Sequence, residues 1–77
     1  MNEAELAKRF PYTIGQLLVS DFQVMKSAAG YYIGRSCWDT EDGYEAPYSR
    51  DSEYFSTESK AAASFEYIRM IEEEGDA

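Results

Sequence analysis

Apolar residues with helical spacing dominate the last third of the chain. They stand three or four positions apart, at Ala61, Phe65, Ile68 and Ile71. This spacing places them on one face of a helix. Ser56 or Thr57 precedes the stripe as a potential N-cap, and Gly75 follows it as a C-terminal stop. The pattern therefore predicts a helix over residues 57–74.

Two segments in the middle of the chain place apolar residues two positions apart, which puts them on one face of a strand. They cover residues 22–28 and 31–38. Between them, Ala29-Gly30 can form a tight turn with Gly30 at positive φ. Gly34, inside the second segment, predicts a β-bulge or the close approach of another backbone. We therefore expect a β-hairpin.

A turn and a third strand are expected after the hairpin. The sequence DTEDG at residues 39–43 is rich in turn-forming residues. Residues 44–49 then place Tyr44 and Tyr48 on one face of an extended segment. Because Pro47 has no N–H to donate to a neighbouring strand, we expect either that this strand lies at a sheet edge or that Pro47 stands early in the strand.

The N-terminal region gives one clear element and one open choice. Residues 2–9 predict a short helix that Asn2 caps and Pro11 stops. The next segment, TIGQLLVS at residues 13–20, fits either a helix capped by Thr13 or the start of a strand. Periodicity does not decide between the two in so short an apolar run. We favour the helix.

Together these elements predict a single α+β domain spanning residues 1–77. A small three-stranded antiparallel sheet would pack on one face against the C-terminal helix, with one or two short helices before it. A compact chain of this length has a radius of gyration of about 11 to 12 Å. The expected core consists of Leu6, Phe10, Leu17, Leu18, Phe22, Val24, Ile33, Phe55, Phe65, Ile68 and Ile71.

The negative charge of the chain is concentrated in its second half. Fifteen acidic and seven basic residues give a net charge of −8. Residues 39–77 hold twelve of the acids and three of the bases, so this half carries −9 and the first half +1. Because phosphate binding needs clustered lysine and arginine, this balance disfavours nucleic acid and anionic membranes as direct ligands.

Residue types that support catalysis or cofactor binding are scarce. The chain has no histidine and a single cysteine, Cys37, so a nucleophile would lack its usual base. The acids of residues 39–45 resemble a calcium loop, but Gly43 and Arg50 occupy positions where that loop needs other residues. We expect no enzymatic activity and no cofactor. A small metal-dependent enzyme or metal sensor using these acids is the competing hypothesis.

Neither a membrane-spanning run nor a secretion signal is evident in the sequence. No apolar stretch approaches the roughly 20 residues of a membrane helix. The first residues, MNEAELAKR, are charged where a signal peptide would be apolar. We therefore expect a cytoplasmic protein.

Acidic and aromatic residues together suggest a protein-binding surface. Carboxylates on a helix face lie about 5 to 6 Å apart, close to the spacing of phosphates along a nucleic-acid strand. Tyrosine is enriched at protein interfaces, and the chain has seven. The expected partner-binding residues are Asp39, Glu41, Asp42, Tyr44, Glu45, Tyr48, Glu72, Glu73 and Glu74. The competing interpretation is that these acids only keep a tyrosine-rich domain soluble.

Residues 30–65 resemble small uncharacterised proteins of bacteriophages and prophages. The resemblance lies in the strand from Tyr31 to Arg35, in the stretch from Pro47 to Ser52, and in Tyr54-Phe55 before an alanine-rich helix. It implies a phage or mobile-element origin and a host bacterial cytoplasm. Small acidic phage proteins of this kind are often inhibitors of host defence, including anti-CRISPR proteins. The resemblance assigns no role to any single residue.

The sequence thus predicts a binding protein that occupies a basic, nucleic-acid-binding surface on a host defence protein, such as a CRISPR effector. The alternative is a structural or regulatory phage accessory protein that forms a homo-oligomer, for example a dimer, through an exposed sheet edge.

Overall fold

The computed structural model describes the backbone of residues 1–75 and the side chains through Ile71. It is an α+β structure with one antiparallel sheet and a helix at each end of the chain. Its elements are α1 (Glu3–Arg9), β1 (Tyr12–Ile14), β2 (Leu17–Val19), β3 (Gln23–Ser27), β4 (Gly30–Asp39), β5 (Tyr44–Arg50) and α2 (Glu58–Gly75).

Strand β4 is the centre of the sheet. Gly34 pairs with both Gln23 of β3 and Arg50 of β5, and Trp38 pairs with both Leu18 of β2 and Glu45 of β5. Because a strand has two edges, β2 and β3 must share one edge of β4, while β5 occupies the other. Strand β1 extends the sheet beyond β2. The described sheet therefore has five strands rather than the three predicted.

The two additional strands correct the prediction for residues 13–20. This segment contributes to a short hairpin rather than a helix, and Ile14 pairs with Leu17 across a two-residue turn. Gly15 in this turn has φ +61°, a conformation that glycine adopts without strain. The carbonyl oxygen of Gln16 then accepts hydrogen bonds from the N–H and hydroxyl of Thr40. These long-range bonds fix the hairpin against the β4–β5 turn.

The remaining elements agree with their local sequence signals. The side chain of Asn2 accepts a hydrogen bond from the N–H of Glu5 at 2.9 Å and caps α1. Thr57 does the same for α2 through the N–H of Lys60, at 3.2 Å. The β3–β4 hairpin is present with Gly30 at φ +137°. Strand β5, which contains Pro47, lies at a sheet edge as predicted.

Gly34 allows β5 to approach β4 closely. A Cβ atom at this position would overlap the carbonyl oxygen of Ser49 and lie 2.9 Å from Cε2 of Tyr32. The pairing of β4 with β5 shifts register immediately beyond this point, between Arg35 and Ser36. The sequence prediction of a bulge or a close backbone approach at Gly34 is therefore confirmed.

The chain continues to pair with β4 after β5 ends. The Asp51 N–H donates to the carbonyl oxygen of Ile33, whose own N–H donates to the Ser52 hydroxyl. Tyr31 and Phe55 then exchange two backbone hydrogen bonds of 2.9 and 2.6 Å. This pairing brings the chain to the start of β4, where α2 begins and packs against β3 and β4.

The core is smaller than predicted and lies partly elsewhere. Phe10 and Ile33 are buried as expected, but Phe22, Ile68 and Ile71 are exposed. The predicted core missed four buried residues, Val19, Tyr32, Cys37 and Ala61. Among the described side chains of α2, Ala61 is buried and Phe65 is half-buried, whereas Ile68 and Ile71 further along the same apolar stripe are exposed. The cover of the sheet over this stripe therefore weakens after Phe65.

The molecule is flat. It measures 37 × 34 × 19 Å, and its radius of gyration is 13.8 Å, above the compact value predicted from its length. A single sheet with partial helical cover leaves large apolar side chains at the surface, as Tyr12, Ile14 and Tyr44 show. Among the described residues, no helix is both long and apolar enough to cross a membrane.

Candidate protein-interaction surface

The turn between β4 and β5 is shaped by one carboxylate. Oδ1 of Asp39 accepts hydrogen bonds from the N–H groups of Glu41 at 2.9 Å and Asp42 at 3.2 Å. The N–H of Gly43, at φ +72°, donates to the carbonyl oxygen of Asp39. Asp39 is therefore partly structural, and the exposed carboxylates of Glu41 and Asp42 are carried at the tip of the turn.

Tyr44 brings an aromatic ring to the same turn. It is the strand partner of Asp39, and its side chain is 53% exposed. Cross-strand partners lie side by side on one face of a sheet. We refer to residues 39–44 as the acidic turn, since it brings together Asp39, Glu41, Asp42 and Tyr44 of the predicted set.

A row of side chains extends from the acidic turn across the sheet. The strand registers place Ile14 opposite Leu17, Leu17 opposite Asp39, and Asp39 opposite Tyr44. All four side chains thus lie on one face, and Ile14 and Tyr44 are about half exposed. Tyr12, also exposed, lies on this face of β1 two residues from Ile14. We call this surface the open face, defined by Tyr12, Ile14, Leu17 and Tyr44.

Glu45 lies apart from the other acids of the predicted set. It pairs with Trp38, on the sheet face opposite to Tyr44, and its two carboxylate oxygens both accept from Nη2 of Arg9 at 2.9 Å. This ion pair with α1 offsets the charge of Glu45 locally. Sequence reasoning could not find the pair, because 36 residues separate its members.

Tyr48 and the acids of α2 are not brought into the acidic turn by the described contacts. Tyr48 is the residue left unpaired between Pro47 and Ser49, where the register of β5 shifts, and it is 40% exposed. The structure describes side chains through Ile71, so Glu72, Glu73 and Glu74 fall outside that part of the chain. That these three carboxylates lie close to the acidic turn stays a prediction.

The two arginines of the central region stack on aromatic rings. The Arg35 guanidinium lies 5.0 Å from the ring centre of Tyr12 and 5.3 Å from that of Phe22, and its Nε donates to the Ser20 carbonyl oxygen. Arg50 lies 4.6 Å from the ring centre of Tyr54. Within the described residues, ion pairs form at Arg9–Glu45 and Arg69–Glu66, and neither Arg35 nor Arg50 takes part in one.

A substitution distinguishes the structural acid from its neighbours. Asp39→Ala should lower the free energy of unfolding by about 1 kcal/mol, because two backbone N–H groups of the turn lose their acceptor. Glu41→Ala should change it by less than about 0.5 kcal/mol, since that side chain is exposed. Urea unfolding followed by circular dichroism measures both values. Equal values would contradict the role assigned to Asp39.

The described residues contain no group of three or more His, Cys, Asp or Glu side chains close enough together to hold a metal ion. Comparisons with protein-family models, with curated proteins and with solved structures give no match to this chain. The resemblance to phage proteins therefore stays a prediction.

Proposed function

We propose that this chain is a non-enzymatic binding protein that docks on a basic surface of another protein. One observation carries the proposal: the acidic turn and the exposed apolar side chains of the open face meet in a single row across four strands. An apolar patch bordered by charge is typical of protein interfaces. The apolar part supplies affinity, while the carboxylates select a partner of opposite charge.

The electrostatic part of the proposal follows from the charge of the whole chain. A net charge of −8 attracts basic surfaces and accelerates encounter with them. Glu41 and Asp42 are exposed at the tip of the acidic turn, and within the described ion pairs neither is neutralised. Binding that depends on such charges weakens as salt is added.

The specific form that we propose is a phage-type inhibitor of a host defence complex, similar in action to anti-CRISPR proteins. Its acidic surface would occupy a groove that the target uses for nucleic acid, and the chain would need no cofactor. The excess of acidic residues in the sequence and its resemblance to small phage proteins support the proposal of an inhibitor. The acidic turn supplies carboxylates that such a groove would accept in place of phosphates.

Charge reversal at the tip of the turn tests the proposal. Glu41→Lys with Asp42→Lys should reduce capture of proteins from a bacterial lysate by about tenfold or more, because two like charges would then face a basic partner. The double variant leaves the structural Asp39 in place. Capture by the native chain should also fall when the salt concentration is raised from low to high.

The matched control is Glu3→Lys with Glu53→Lys, which reverses two exposed acids outside the acidic turn. Both double variants carry the same net charge, so a difference between them reports position rather than total charge. The proposal fails if the two variants lose capture equally, or if neither loses it.

A further inference from the structure

Helix α2 has a second apolar face, in addition to the one that packs on the sheet. Ala61 is fully buried and Phe65 is half-buried against the sheet. Tyr67, Met70 and Ile71 are apolar as well, yet they are 65%, 58% and 50% exposed. We refer to these three residues as the outer face of α2.

Helical geometry places the outer face away from the sheet. Each residue advances about 100° around the helix axis. Tyr67 and Met70 therefore lie about 200° and 140° around from Phe65, on the opposite side of the helix. A helix with apolar residues on two opposite faces usually has both faces covered by other parts of a structure. In α2 the sheet covers the face that contains Phe65 and leaves the outer face open.

The sequence around the outer face indicates what covers it. Residues 66–74 contain four acids and one base, Arg69, whose guanidinium lies 3.9 Å from the Glu66 carboxylate. The last turn of α2 contains no basic residue, although bases are favoured at the negative end of a helix dipole. Lysines and arginines from another molecule would supply the positive charge that the last turn of α2 lacks. A second copy of the chain would instead bring a further net charge of −8.

We propose that the outer face of α2 is a docking site for an amphipathic helix of a partner protein, with an apolar seam flanked by lysine and arginine. The seam packs on Tyr67, Met70 and Ile71, and the basic flanks match the excess of acids in the sequence of the last turns of α2. Recognition of this kind is a helix-on-helix contact. The site is separate from the acidic turn and the open face, so it holds or fails independently of the proposed function.

Peptide binding to the full chain tests the inference. The probe is a fluorescent helical peptide of leucine and lysine, with its leucines on one face. A control peptide has the same composition in an order that destroys the apolar face. Fluorescence anisotropy should show the patterned peptide binding about tenfold more tightly than the control at physiological salt, because only it can pack on the outer face.

Paired variants locate the contact. Tyr67→Gln with Met70→Gln should weaken binding of the patterned peptide by about tenfold, and glutamine keeps the helix propensity high. Ile14→Gln with Tyr44→Gln removes similar exposed apolar side chains from the open face and should leave binding unchanged. Ile71→Gln provides an independent single change on the outer face.

Three results would overturn the inference. One is equal binding of the two peptides, which would mean that charge alone attracts them. Another is no binding, or binding that the outer-face variants do not weaken. The last is sedimentation of the native chain as a dimer that Tyr67→Gln with Met70→Gln dissociates, which would make a second copy the occupant.

Discussion

Replacement of Gly34 by alanine is expected to leave the chain largely unfolded at room temperature. The new Cβ would overlap the Ser49 carbonyl oxygen and press on the Tyr32 ring. Because the Ser49 carbonyl oxygen belongs to the backbone, the clash is relieved only if β5 moves away from the central strand β4. We expect a loss of about 3 kcal/mol or more, which is a large part of the stability of so small a domain.

Gly43→Ala is the matched control for this prediction. Gly43 has φ +72°, but no atom beyond its two chain neighbours lies within 4 Å of a Cβ built there. Its replacement should cost only about 1 to 2 kcal/mol, from the backbone conformation alone. Thermal unfolding followed by circular dichroism compares the two variants. If Gly34→Ala unfolds no more readily than Gly43→Ala, the close approach of β5 to β4 is wrong.

Tyr32→Ala is the second substitution with a large expected effect. The Tyr32 side chain is 5% exposed, and its ring meets that of Tyr54 edge to face at a centroid distance of 5.7 Å. Removing a buried aromatic ring costs about 3 to 5 kcal/mol, since the lost burial is combined with a cavity. The variant should be mostly unfolded in the absence of a binding partner.

The comparison for Tyr32→Ala is Tyr44→Ala. The Tyr44 side chain is 53% exposed, so its removal should change the free energy of unfolding by less than about 0.5 kcal/mol. Urea titrations of both variants give the difference. Similar midpoints would show that Tyr32 is not part of the core. A large loss for Tyr44→Ala would show that the open face is less accessible than described.

Local signals predicted much of the fold, and long-range pairing accounts for the rest. The caps at Asn2 and Thr57 and the turn at Gly30 act over three or four residues, so the sequence shows them directly. Strands β1 and β2 have three residues each, too few to display a period. Gly15 was the available signal for their turn. The number of strands depends on their pairing with β4, which no local pattern records.

The structure brings together only part of the predicted set of binding residues, for a similar reason. Asp39, Glu41, Asp42 and Tyr44 are neighbours in the chain, so the turn keeps them together. The pairing of Glu45 with Arg9 and the stacking of Arg35 on Phe22 and Tyr12 depend on the tertiary fold. The apolar row from Ile14 to Tyr44 likewise exists only once β1, β2, β4 and β5 are aligned.

The sheet edges bear on the alternative of a homo-oligomer. Strand β5 is an edge strand, but it contains Pro47, and its pairing with β4 is interrupted by a register shift. Both features hinder the addition of another strand at an edge. Edge-to-edge association through β5 is therefore disfavoured, and light scattering over a range of concentrations measures the oligomeric state directly.

Competition with nucleic acid is the most direct test of the proposed function. The partner captured by the native chain is titrated with labelled RNA or duplex DNA, and the bound species are separated by gel filtration. We predict mutual exclusion, in which nucleic acid releases the chain and no fraction contains partner, chain and nucleic acid together. A stable complex of all three would contradict the claim that the acidic surface occupies a nucleic-acid-binding groove.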